Sequence, residues 1–267
     1  MSNVQRSRSK VDSSLLASKP VGALTHWTSN ELLRVSDLRK SFLSSAGESV
    51  DVLRGIDFQA ATGEMVAITG PSGSGKTTLL QLLGGLEAPS HGTIFLNQVN
   101  LGQINESALA KFRRDNIGFV FQFHHLLADL TAEENIVLPL LIARRPGRKA
   151  KMQAVRALET VGLSGKASLP VGHLSGGEQQ KVAVARALIG EPFLILADEP
   201  TGNLDSAQGE EIASLLNNYC RSRPALVIVA THNRSLGQIC DRVMGIQDGK
   251  LRPESFTGSE KSEALRL

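Results

Sequence analysis

Apolar and polar positions alternate with a period of two through "LLRVSDLRKSFL" and again through "DVLRGIDFQA", which predicts an antiparallel β element ahead of the main sheet. The pattern then changes. "EMVAITG" is a short, nearly continuous apolar run, and "KTTLLQLLGG" reads as a helix closing on paired glycines. "GTIFLNQVNL" returns to strand. From about Ser107 to about Pro170 the spacing turns helical, with a capping box at Thr131 and Glu134 and a helix carrying Met152, Val155, Leu158 and Val161 on one side. Two more buried-strand patterns follow, "FLILA" (193–197) and "ALVIVA" (225–230). Strands alternating with helices predict an α/β fold: a mainly parallel sheet core, an N-terminal antiparallel β element, and an inserted helical lobe over about 107–180. No internal repeat is visible.

Composition changes this picture little. A chain of 267 residues with 41% hydrophobic content buries a full core, as one large domain or a domain with a lobe. No apolar run approaches a membrane span, "NIVLPLLIA" being among the longest, so the chain reads as soluble.

Charge is more informative. Residues 1–30 carry Arg6, Arg8, Lys10 and Lys19 against Asp12, which accounts for the whole net charge of +3. The rest balances, so the sequence pI near 9.0 reports a basic, serine-rich tail and gives no support for a nucleic-acid-binding surface on the folded part. The expected organisation is a disordered tail over 1–30, one domain over 31–258 and a short tail over 259–267. Cys220 and Cys240 stand apart without metal-ligand spacing and read as free thiols in a reducing compartment.

The strongest single motif runs from Gly70 through Pro71, Ser72, Gly73, Ser74 and Gly75 to Lys76 and Thr77, a full match to the phosphate loop. Its glycines let backbone N–H groups close around phosphates, Lys76 reaches the β- and γ-groups, and the Thr77 hydroxyl ligates Mg²⁺. Three apolar strands end on polar residues: "MVAIT" at this loop, "FLILA" at Asp198-Glu199, and "ALVIVA" at Thr231-His232. In a parallel sheet those ends share one edge, where ligands of open α/β folds bind. Asp198 then suits the magnesium shell, and Glu199 suits orienting and deprotonating an attacking water. His232 is expected to touch the γ-phosphate or that water. Gln122, at the entrance to the helical stretch, is a candidate Mg²⁺ ligand that reports the γ-phosphate to the lobe.

A second glycine-rich helix start, "HLSGGEQQKVAVARAL", has no lysine. Ser175, Gly176 and Gly177 offer free N–H groups and a helix dipole to an anion. The first loop already wraps one triphosphate, and an inserted lobe separates the two segments. A second copy of the chain, related by a two-fold axis, brings this helix onto the γ-phosphate held by its partner.

Taken together, Gly70–Thr77, Gln122, "LSGGEQQ", "LILADEP", "GNLD" and "THN" stand in the order and spacing of an ABC transporter nucleotide-binding domain, which the chain resembles over roughly residues 31–255. The resemblance implies an ATPase with ATP and Mg²⁺ as ligands. It adds Phe42, in place of the usual tyrosine, as the ring that stacks on adenine, Thr78 and Glu178 beside the phosphates, and Asp205 in the loop that crosses a dimer interface. It also implies a lobe docked on membrane permease subunits at the cytoplasmic face of the inner membrane, with no direct contact to cargo. "IGFVFQFHHLLADLTAEENIVLPLLI" and "LLGGLEAPSHGTIFLN" are similar to the ATPase subunits of lipoprotein-releasing systems and their macrolide-efflux and cell-division relatives. A soluble non-transport ATPase and a regulatory ATP-binding scaffold of the same family stay open. His124 and His125, read as neighbours on a helix, point about 100° apart and make a poor chelating pair. They are expected on the lobe surface that receives the permease.

Overall fold

The computed structural model describes residues 30–45 and 47–254, so the tails expected at 1–30 and 259–267 lie outside the described residues apart from Asn30. β1 (Glu31–Leu43) and β2 (Ser49–Ala61) form the expected antiparallel pair. β3 (Met65–Thr69) opens a second sheet and leads through the phosphate loop into α1 (Lys76–Leu83). β4 (His91–Leu96) and β5 (Val99–Asn100) then return to the first sheet, whose order is β2-β1-β4-β5. They meet at Asn97-Gln98, both left-handed with φ 48° and 67°, a hairpin turn whose twist matches that of the strands it joins.

α2 (Glu106–Asn116) and β6 (Ile117–Val120) precede three helices: α3 (Ala132–Ile142), α4 (Gly147–Thr160) and α5 (Gly176–Leu188). The chain ends as β7 (Leu194–Asp198), α6 (Ser206–Ser222), β8 (Leu226–Ala230), α7 (Arg234–Ile239), β9 (Arg242–Gln247) and β10 (Lys250–Glu254). The second sheet runs β10-β9-β3-β8-β7-β6; every pairing in it is parallel except that of β10 on β9.

The parallel strands show why continuous apolar runs mark them. Val66, Ile68, Leu194, Leu196, Leu226 and Ile228 point into a core shared with the first sheet, α1 and α2. Met65, Ile195, Ala197, Val227 and Val229 point the other way, onto α5 and α6. With side chains alternating between two covered faces, every position is apolar.

The lobe is smaller than expected. α2 is helical as expected but packs Phe112 into the main core, and β6 is a strand paired with β7 at the edge of the main sheet, so the first part of the stretch expected as lobe belongs to the main core instead. "IGFV" is too short for its strand pattern to stand out beside a helix. A separate core joins α3, α4 and α5. The face of α4 also differs from expectation: Ala150, Ala154 and Leu158 are buried, with Val161 just beyond the helix, whereas Met152 and Val155 are 52% and 39% exposed. Alanines let α4 approach α3 closely, and the stripe they define wins over the bulkier one beside it. Among the described residues no helix is long and apolar enough to cross a membrane.

Candidate functional site

The sheet edge collects the expected groups. β3, β7 and β8 are adjacent in parallel register, Met65 opposite Val227 and Asp198 opposite Ala230, so their carboxyl ends open on one side. From β3 the chain turns into the phosphate loop, where Gly75 sits at φ 104° immediately before α1. That left-handed conformation is open to glycine at little cost, and a Cβ there would also lie 2.9 Å from Leu53 Cδ2. α1 has no side-chain cap, which leaves its first-turn N–H groups turned out toward the loop.

Ser74 Oγ is buried with no hydrogen-bond partner. Lys76 Nζ curls back onto the loop and donates to the Gly70 and Pro71 carbonyls at 2.8 and 3.0 Å. A helix start without a side-chain cap, a buried hydroxyl without a partner and a lysine on loop carbonyls together form a cradle of donors that suits an anionic group.

Thr77 and Asp198, both expected on the metal side, lie in contact. Thr77 Oγ1 donates to Asp198 Oδ2 at 2.7 Å. Burial pushes the Asp198 carboxyl above the usual range; the Thr77 hydrogen bond opposes this, and the neighbouring Glu199 adds to it. A hydroxyl and a carboxylate are hard oxygen donors, which fits Mg²⁺.

Glu199 is left-handed at φ 46°, with its N–H on the Ala230 carbonyl at 2.8 Å. Its Oε1 lies 2.8 Å from His232 Nδ1, and its Oε2 lies 3.4 Å from the His232 backbone N. The expected catalytic pair is therefore coupled directly: the imidazole holds one carboxylate oxygen while the side chain of Glu199 stays mostly covered. Gln122, just past β6, rests beside Gly202, where a Cβ would lie 3.3 Å from its Nε2. No hydrogen bond joins it to Thr77 or Asp198 among the described residues. Phe42, near the end of β1, is exposed, with the Lys40 ammonium 4.7 Å from its ring centroid.

The second glycine-rich start departs from its reading. Ser175 and Glu178 form a capping box at the head of α5: Ser175 Oγ accepts from the Glu178 N–H at 3.3 Å, and the Glu178 carboxylate accepts from the Ser175 N–H at 3.1 Å. Glu178 also pairs with Lys166, and this contact, with the Ser175 N–H, holds its carboxyl below the usual range. One donor expected to be free for an anion is therefore taken within the chain. Gly176 faces open space, but a Cβ on Gly177 would lie 2.2 Å from Gln208 Oε1, so any larger residue here must displace the amide end of a side chain on the chain's own α6. Asp205 caps α6, accepting from the Gln208 N–H at 2.9 Å, and brings Gln208 to that contact. Among the described residues no hydrogen bond joins 175–178 to the phosphate loop.

His124 and His125 do not lie on a helix. They sit in irregular backbone after β6, with His125 left-handed at φ 47° and its ring edge-on to Phe121 at 4.9 Å. Among the described residues no group of three or more His, Cys, Asp or Glu side chains, these two histidines included, is placed to hold a metal ion. Burial, then Arg186 and His125, pulls the His124 pKa down.

Two contacting residues escape sequence reasoning. Gln180, buried on α5, donates to the Pro200 carbonyl at 2.8 Å. Arg186 donates to the carbonyls of both His124 and His125 at 2.7 Å. Their bonds go to backbone, so no pairing of side-chain types foretells them.

A model of the ABC transporter family matches residues 53–202. Among curated proteins, the lipoprotein-releasing system ATP-binding protein LolD of Gluconobacter oxydans is 45% identical over 226 residues, 85% of this chain and 97% of that one. Its counterpart in Pseudomonas fluorescens is 46% identical over 220 residues, 82% of this chain and 96% of that one. Among solved structures, a dimeric ATP-binding cassette in a post-hydrolysis state, bound to ADP and phosphate, is similar with a TM-score of 0.79 and 36% identity, covering 85% of this chain and 100% of that chain.

Proposed function

Because this chain belongs to the ABC transporter family, we propose that it is the ATP-hydrolysing subunit of a lipoprotein-releasing transporter. The observation that carries the reading is the convergence, at one sheet edge, of the uncapped α1 cradle, the Thr77–Asp198 pair and the Glu199–His232 pair.

The nucleotide-binding domain spans 31–258. Phe42 stacks on the base. Gly70 to Thr78 surround the phosphates, and Lys76 leaves the Gly70 and Pro71 carbonyls to meet the β- and γ-phosphate oxygens. Thr77 and Asp198 would hold Mg²⁺, with Gln122 as a further ligand, and the ion would supply positive charge against the phosphates.

Glu199 accepts the proton of the attacking water. A bond forms from the water oxygen to the γ-phosphorus as the bond to the ADP oxygen breaks, and His232 keeps the Glu199 carboxylate aimed. Positioning supplies much of the acceleration.

The Ser175–Glu178 end of α5 and Asp205 act on a partner copy's nucleotide, so ATP closes a homodimer. Phe123, Leu127, Leu141, Ile142 and Met152, all exposed and all on the lobe or the segment leading to it, support docking of permease subunits there. The chain then works at the cytoplasmic face of the inner membrane, held by the permease, without touching cargo.

Depleting the chain in its native cells is the test. Acylated lipoproteins should accumulate in the inner membrane, with rescue by wild type and none by Glu199→Gln. Normal lipoprotein sorting after depletion would overturn the transport assignment and point to the efflux or cell-division relatives.

A further inference from the structure

The segment 121–126, which carries Gln122, has no backbone-to-backbone hydrogen bond among the described residues. At its start Phe121 stacks on Phe119 with ring centroids 5.7 Å apart. Just past its end Asn135 holds Leu127, accepting from its N–H at 2.8 Å and donating to its carbonyl at 3.1 Å. Between these anchors the backbone hydrogen bonds among the described residues are the two from Arg186, Nη2 to the His124 carbonyl and Nη1 to the His125 carbonyl.

A planar guanidinium spans two successive carbonyls in a way that a lysine ammonium does not. Arg186 is partly buried, and no carboxylate pairs with it among the described residues. A charge taken out of water without a counter-ion is costly, so its retention here needs a return from those two carbonyls.

We propose that Arg186 is a positioning residue for Gln122: through its fork on the His124 and His125 carbonyls, α5 sets where the Gln122 amide lies. This rests on the reading of Gln122 as a ligand at the nucleotide site. The fork and Ser175 belong to one helix, eleven residues apart, so they are separated by roughly 16 Å of rigid backbone. A shift of α5 when its N-terminus meets the partner's nucleotide is thereby passed to Gln122, two residues before the first clamped carbonyl.

The test is a double-mutant cycle on the full chain, reading kcat, KM for ATP and thermal melting. Arg186→Met should lower kcat roughly 10- to 100-fold, the scale of a misplacement of about 1 Å, with KM changed less than about two-fold. Arg186→Lys, which keeps the charge and loses the fork, should fall in between. In a Gln122→Ala background either substitution should cost less than about two-fold further.

Losses that multiply in that background would overturn the coupling while leaving the Gln122 reading intact. So would a kcat loss explained wholly by a smaller folded fraction. A silent Gln122→Ala would overturn the Gln122 reading and the coupling with it. If Arg186→Met does not fold, Arg186→Lys carries the test, and wild-type kcat in that variant would overturn the need for a fork.

Discussion

The heads of α1 and α5 are both glycine-rich helix starts, and the chain finishes them in opposite ways. At α1 no side chain caps the helix, the buried Ser74 hydroxyl has no partner, and Lys76 rests on two loop carbonyls. At α5, Ser175 and Glu178 cap each other and Lys166 pairs with Glu178. The first terminus is built to receive an anion by itself. The second is already satisfied in part, which suits the role proposed for it, a surface that completes a phosphate held elsewhere. Nucleotide affinity of the single chain should therefore depend on α1, and ATP-driven association should depend on α5.

The largest expected effect falls on chemistry alone. Glu199→Gln should reduce phosphate release about 10²- to 10⁴-fold, the scale of a lost general base, while nucleotide still binds. Lys76→Ala should weaken ATP binding by the single chain roughly 10- to 100-fold in a fluorescent-nucleotide titration, as for a lost charged hydrogen bond. Ser175→Arg should leave that affinity within about two-fold, and an equal loss at both helix starts would break the distinction between them.

Gly177→Ala should cost about 1 kcal/mol on melting, the low end for overpacking, because only the amide end of Gln208 must move. Adding Gln208→Ala should return that loss. The smallest effect is a titration. The Glu178 carboxyl is held below its ordinary range, so its contribution is present above the unfolded-state pKa and is lost as pH falls through the folded one. Hydrogen exchange in the first turn of α5 should accelerate across that acid window, and Glu178→Gln should flatten the dependence.

Much of this was legible because the relevant chemistry is local. The phosphate loop needs one contiguous stretch, and the three parallel strands declare themselves by being apolar on both faces. The acidic pair at the end of β7 and the histidine after β8 follow from strand ends sharing an edge. β6 was hidden, since "IGFV" is four residues beside a helix. The exposure of Met152 was hidden because two stripes on α4 compete, and small residues win only where another helix approaches closely. The contact of Gly177 with Gln208 and the fork of Arg186 join distant segments through groups whose spacing in the chain carries no signal.

The central claim is that each nucleotide is held by α1 of one copy and completed by α5 of the other. Mixing a chain carrying Lys76→Ala with one carrying Ser175→Arg tests it directly, because a mixed dimer combines both defects in one site and leaves its other site intact. ATP turnover or ATP-dependent dimer in the mixture, absent from either variant alone, is the expected result. A mixture as inactive as its components, under conditions where the wild-type chain turns over and dimerises, would contradict the account.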